Sequence, residues 1–332
     1  MKINYELLKD FCLTHAVSGD TSTITNKMIA ELKKRKIPYT KNGYGTVVFG
    51  KQDAEIMFTA HMDEVGFQVT KINDNGKLSF LPIGWVFPNR LDHNIIYIYA
   101  NGKKIPGLVV HCEELKTENL TSFASLCIDV GAVSKKEVEK MGITAGCTGS
   151  FEKQFIETET SIIASSIDNK ISQFAIFHLI DKNPDYLKKY AFAFITDEEM
   201  QDHSANGICH SYLPQLAVVL DYCPIHQKAH AEDVIPTEPG PLVLYRGGGY
   251  IIHEEVRKYF DTKIKSPFNK VFFSSSTLPV LEPSNFEENG TTKGVNVCVK
   301  ANGYHGSAYT VRKDDVEAFI TVIKEIMDKP FV

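Results

Sequence analysis

The chain has 332 residues, with 36 Lys+Arg against 41 Asp+Glu for a formal net charge of −5, and 43% of it is hydrophobic. That composition is too long for a small stapled scaffold and suits one large α/β domain carrying an insertion, or two domains. A mildly acidic balance without a long Lys/Arg block excludes a nucleic-acid partner, and no stretch reaches the roughly 20 apolar residues of a membrane span.

Leu7, Leu8, Phe11 and Cys12 recur at helical spacing until the Val17-Ser18-Gly19-Asp20 turn, and Ser22 or Thr23 is placed to cap a second helix ending in Lys33-Lys34-Arg35-Lys36. Thr46–Gly50 and Glu55–Thr59 read as short strands, the second delivering Ala60-His61-Met62-Asp63-Glu64. From about Gly66 to Glu159 short alternating segments are separated by Asn-Gly and Asp-Asn-Gly turns, which predicts a small all-β insertion. Its clearest hairpin is Tyr97 to Ile105, turning at Asn101-Gly102. The α/β rhythm returns after Ile162, with a buried helix over Ser172–Asp181, strands over Tyr190–Ile195 and Leu216–Leu220, and an amphipathic helix over Lys313–Met327. The expected division is 1–65 with 162–332 as one domain and 66–161 as the insertion.

Seven scattered cysteines without a C-x-x-C pair predict free thiols in a reducing compartment. Polar residues interrupt the N-terminal segment wherever a signal peptide needs an apolar core, so a cytoplasmic location is expected.

Isolated histidines and carboxylates stand against apolar strand ends or helix starts at His61 and Asp63, Asp168, Glu198 and Glu199, Asp221, and His305. Singly, each has an ordinary explanation: Asp221 as a turn or N-cap residue, Glu198-Glu199 as a solvated helix start, either histidine as a structural one. Together, two histidines and three carboxylates with others to spare are the inventory of a site where one carboxylate bridges two divalent ions. Nitrogen and carboxylate donors without thiolate suit zinc, with cobalt or manganese as alternatives.

The ordered runs Ala60-His61-Met62-Asp63-Glu64-Val65-Gly66, Ser166-Ile167-Asp168-Asn169-Lys170, Thr196-Asp197-Glu198-Glu199, Val218-Val219-Leu220-Asp221 and Tyr304-His305 resemble the cocatalytic metallo-aminopeptidases of the glutamyl and deblocking type. Ile83-Gly84-Trp85, Lys104-Ile105-Pro106-Gly107 and Ile128-Asp129-Val130-Gly131-Ala132 are similar to that family's β-barrel domain. The resemblance implies a mostly parallel sheet flanked by helices with an inserted small β-barrel, and a homo-oligomer, in that family a tetrahedral dodecamer. It implies Asp168 as the bridging ligand, His61 and Asp221 on one ion, Glu199 and His305 on the other, Asp63 orienting the site, and Glu198 as catalytic base. The activity implied is removal of N-terminal residues from small peptides. Other readings are an N-acyl amino-acid deacylase on the same metals, a glycosidase, and a binding protein that has lost turnover. The sequence departs from the family pattern after Glu199, over Met200 to Gly207, and after His305, at Gly306-Ser307-Ala308. His203 in the first of these runs reads as a surface histidine.

Overall fold

The computed structural model describes residues 3–112, 122–200, 205, 207–208, 211–225, 236, 238–247, 250–273, 282–288 and 290–331. Three continuous apolar runs build the centre of its main sheet: β3 (Ile56–His61), β12 (Ala191–Ile195) and β13 (Leu216–Pro224). Strands covered by helices on both faces need no polar alternation, which is why all of β3 and β12 is buried. With β17 (Lys293–Ala301) they form four parallel neighbours in the order β12-β3-β13-β17.

Antiparallel strands complete the edges. On one side lie β2 (Val47–Gly50) and β1 (Tyr39–Lys41), and on the other β14 (Leu242–Gly247) and β15 (Tyr250–Ile251), with β16 (Asn269–Phe272) parallel to β14. The sheet is therefore mixed, with a parallel middle. Helices Ile167–Lys182 and Lys313–Asp328 pack into the same core, where ring contacts link Phe49 to Phe177, Phe192 and Phe194, Phe177 to Phe194, and Phe58 to Phe192. A separate three-stranded sheet joins β10 (Phe155–Glu157), β11 (Ser161–Ala164) and β18 (Tyr309–Arg312).

Between β3 and β10 the chain closes a six-stranded barrel from β4 (Gly66–Ile72), β5 (Leu78–Ile83), β6 (Ile95–Ala100), β7 (Lys103–His111), β8 (Leu126–Asp129) and β9 (Thr148–Phe151). It has its own core, in which Phe67 meets Phe80 and Phe151 edge-on. The β6–β7 hairpin turns at Asn101-Gly102, both with positive φ (50° and 74°), as a two-residue turn requires.

Four local expectations are corrected. Neither Ser22 nor Thr23 caps the second helix: it starts at Ser22, Thr21 occupies the cap position, and no side chain caps it. The helix expected over Ser172–Asp181 begins earlier, at Ile167, yet Asp168 and Asn169 have non-helical backbones and are joined by a cis peptide bond. Asp221 does not close β13, which continues to Pro224 because β17 pairs with it throughout. Glu198-Glu199 do not open a helix; they sit in a turn after β12, with Glu199 buried.

Where the barrel meets the main sheet, Lys153 Nζ donates to both carboxylate oxygens of Glu64 and to Ser166 Oγ at 2.9 Å, with both charged side chains at most 5% exposed. Burial alone would raise the Glu64 carboxyl, but Lys153 and Lys170 outweigh it and hold it below its ordinary 4.5. The stabilisation is therefore complete above the unfolded-state value and is lost as pH falls through the folded one. Glu64→Gln strands a buried ammonium and is expected to cost about 3–5 kcal/mol. Urea unfolding checks this, and the gap between wild type and variant should shrink below about pH 4.5.

Candidate metal centre

The parallel register sets His61 at the end of β3 beside Ile195 at the end of β12, so the turn that follows β12 drops Glu198 and Glu199 next to the histidine. Asp221 arrives from β13 on the other side of β3. Polar groups at the carboxyl ends of parallel strands, where the chain leaves the sheet, are where α/β folds place their sites. Asp168 enters from the irregular start of its helix, and His305 from the loop between β17 and β18.

All seven residues singled out in the sequence converge. Asp168 stands between the two histidines: Oδ1 is 2.9 Å from His61 Nε2, and Oδ2 is 3.4 Å from His305 Nε2. His61 Nε2 is also 3.7 Å from Asp221 Oδ1 and 3.8 Å from Glu198 Oε2, while His305 Nε2 is 3.5 Å from Glu199 Oε2. Among the described residues, His61 with Asp168 and Asp221, and Asp168 with Glu199 and His305, form two groups whose donor atoms lie within 4.8 Å of one another. They share Asp168. A third group, His61 with Glu198 and Glu199, meets the same limit.

Asp63 belongs to none of those groups. Its oxygens accept the backbone N–H of Glu198 at 3.3 Å and of Glu199 at 3.2 Å, and Ser18 Oγ donates to it at 2.6 Å. Its Oδ1 is 3.4 Å from His61 Nδ1. Asp63 thus holds one histidine and the glutamate turn with a single carboxylate.

The electrostatics of this cluster call for cations. Burial pushes the Glu199 carboxyl well above its usual range, and the charge of Asp168 adds to the shift. Burial also raises Asp221, against the pull of His61. Burial opposes ionisation of Asp168 too, but hydrogen bonds from His305 and His61 win and hold its carboxyl below the usual range. His61 is driven well above its usual value because Glu198, Asp168, Asp221 and Asp63 outweigh its burial. Glu199 Oε1 is buried with no hydrogen-bond partner among the described residues. An orphaned carboxylate oxygen amid crowded buried acids fits divalent ions, because buried charges are otherwise paired.

Other residues support the cluster. Tyr309 Oη accepts the His305 N–H at 3.1 Å, the Tyr304 ring stacks on His305 with centroids 3.9 Å apart, and the Trp85 carbonyl lies 3.0 Å from His305 Nδ1. Lys170, fully buried, donates to the carbonyls of Met62 and Asp63, and Asn169 Nδ2 donates to the Leu220 carbonyl at 2.7 Å. Asn169, Lys170, Trp85 and Tyr304 fall within the runs quoted above, although their contacts do not follow from those runs, and no residue pattern announces Tyr309. His203 lies outside the described residues.

Comparison with known proteins places this geometry in context. The sequence profile of the M42 glutamyl aminopeptidase family matches residues 43–322. FrvX of Escherichia coli (strain K12) is 29% identical over 347 residues, spanning 97% of this chain and 94% of that protein. The TET aminopeptidase of Thaumarchaeota archaeon SCGC AB-539-E09 superposes with a TM-score of 0.89 at 18% identity, covering 98% of this chain and 96% of that one. The TET1 peptidase of Pyrococcus horikoshii, which can assemble into a tetrahedron or a large octahedral shell, superposes at 0.84 with 22% identity, covering 97% and 98%.

Proposed function

This chain belongs to the M42 glutamyl aminopeptidase family, and from that membership we propose that its centre binds two divalent ions and removes single residues from the N-termini of small peptides. The observation that carries the reading is Asp168, whose two oxygens face different histidines, each with its own acidic partner. His61 and Asp221 would hold one ion, Glu199 and His305 the other, with Asp168 common to both. Zinc suits these donors best, and cobalt or manganese would also be accepted. When bound, such ions polarise the scissile carbonyl and lower the pKa of the attacking water.

The chain's own groups do the rest. Glu198, whose side chain is 19% exposed, stands where a carboxylate can take a proton from the attacking water and return it to the leaving amine. Asp63 fixes that glutamate from behind through the turn's backbone. The substrate's free α-amine would be held at one of the two ions, which favours a free N-terminus over an acylated one. Family membership likewise disfavours the deacylase and glycosidase readings.

A screen of aminoacyl-amides with added zinc, cobalt or manganese tests the activity. Turnover of free-amine substrates with little on their N-acetylated counterparts is the expected result, and the opposite preference would overturn the reading. We also assign to residues 66–161, which contain the closed barrel, a role in self-association into a closed homo-oligomer, up to a dodecamer. Light scattering at micromolar concentration should then find a multimer, and a monomer would reject that role. No helix among the described residues is long and apolar enough to cross a membrane, and a cytoplasmic site of action fits the scattered free thiols.

A further inference from the structure

The barrel contributes more than shape to the centre. The segment after β5 runs Gly84-Trp85-Val86-Phe87, and its backbone is locked against the catalytic turn: Gly84 N–H donates to Met200 Sδ at 3.1 Å, and the Trp85 carbonyl meets His305 Nδ1. Gly84 has φ +76°, and a Cβ there would lie 2.6 Å from Val65 and 3.3 Å from Glu199, so only glycine lets the segment approach this closely. The segment is buttressed from outside by Arg90, which donates to the Tyr304 carbonyl at 2.8 Å and lies over the Phe87 ring.

Amid this fixed backbone, two large apolar side chains remain in water. Trp85 is 55% exposed and Met200, immediately after Glu199, is 52% exposed. The cavity beside Asp168 and Glu199 is lined instead by the buried Lys153–Glu64 pair, and neither Trp85 nor Met200 lines it. An enzyme that takes a free N-terminus into its centre must let the remainder of the peptide leave toward solvent. Exposed aromatic and thioether groups whose backbones stand beside the candidate ligands match an apolar side chain on the departing part.

We propose that Trp85 and Met200 form an apolar rim that grips the side chain of the residue just after the cleaved bond, selecting peptides with an apolar, above all aromatic, second residue. This rests on the aminopeptidase reading and adds a specificity it does not contain. Trp85 is the chain's sole tryptophan, so its emission reports the rim directly.

The test uses dipeptides that share one N-terminal residue, taken from the aminoacyl-amide screen, and carry phenylalanine or glycine second. Metal-loaded wild type should favour phenylalanine in kcat/KM by about tenfold, the scale of one aromatic contact. In Trp85→Ala the ratio should fall below about twofold, while Trp85→Phe keeps most of it and Met200→Ala lowers it in part. Using a ratio within each protein cancels any general loss of activity. Independently, titrating metal-loaded Glu198→Gln should shift Trp85 emission with the phenylalanine dipeptide and much less with the bare aminoacyl-amide. A wild-type ratio near one, a ratio unchanged in Trp85→Ala, or no emission change overturns the rim. If Trp85→Ala is wholly inactive, the Met200→Ala ratio and the emission titration decide. Failure of the wild type to turn over any aminoacyl-amide instead overturns the aminopeptidase reading, a result the emission titration does not depend on.

Discussion

Asp168→Ala is expected to lose divalent metal altogether, from about two ions per chain to almost none, whereas His305→Ala should keep roughly one. The difference follows from how the donors are shared. His61 and Asp221 can serve one ion without His305, and His305 with Glu199 can serve the other without His61, but both of these groups need Asp168 as their third donor. Removing it leaves two donors per ion in a cluster whose remaining acids repel one another. Elemental analysis of protein purified with excess zinc measures the loss, and thermal unfolding of the same samples checks that the variant is folded. Full occupancy in Asp168→Ala would reject the shared ligand, and equal loss in His305→Ala would mean that the two ions bind as one cooperative unit.

Glu198→Gln should retain its metal while losing on the order of 10²–10⁴-fold in kcat, the usual worth of a positioned acid–base group. Glu199→Gln should weaken metal binding first. The two side chains are sequence neighbours but not equivalents. Glu199 is 3% exposed and faces His305, and its other oxygen has no hydrogen-bond partner among the described residues, the situation of a ligand. Glu198 is 19% exposed and stands at the longer 3.8 Å from His61, the situation of a group that can exchange a proton with substrate. A carboxylate bound to metal is a poor base, so one residue cannot easily do both. Because Glu198 also falls within a metal-sized group with His61 and Glu199, the outcome is a real choice. Metal loss in Glu198→Gln with retained metal in Glu199→Gln would reverse the assignment, and undiminished turnover in Glu198→Gln would remove the general-base role.

The seven candidate residues stood out in sequence because they sit against apolar strand ends or helix starts, where an acid or histidine, if buried, needs an explanation. Their order along the chain, with the residues around them, carried the resemblance to a metallo-aminopeptidase. The turn-punctuated alternation between Gly66 and Glu159 likewise marked a β insertion, since period-two patterning and Asn-Gly turns are local signals. What was misplaced were element ends: Thr21, rather than Ser22 or Thr23, holds the cap position of the second helix, and β13 runs past Asp221 because β17 continues to pair with it.

Residue type and order singled out the seven side chains and, through the resemblance, implied a division of roles, but only the tertiary structure decided how they lie against one another. Asp168 points one oxygen at each histidine from a backbone that is not helical at the start of the helix that carries it. That Glu199 is buried and Glu198 is not depends on Asp63 drawing both of their amides onto one carboxylate across a separation of more than a hundred residues. That Trp85 borders His305 depends on a barrel returning to the sheet from which it was inserted. These are contacts between backbone atoms and side chains brought together by sheet register and loop path. Such contacts leave no periodicity and no composition for a sequence to display, because the partner that gives each residue its role lies on another strand.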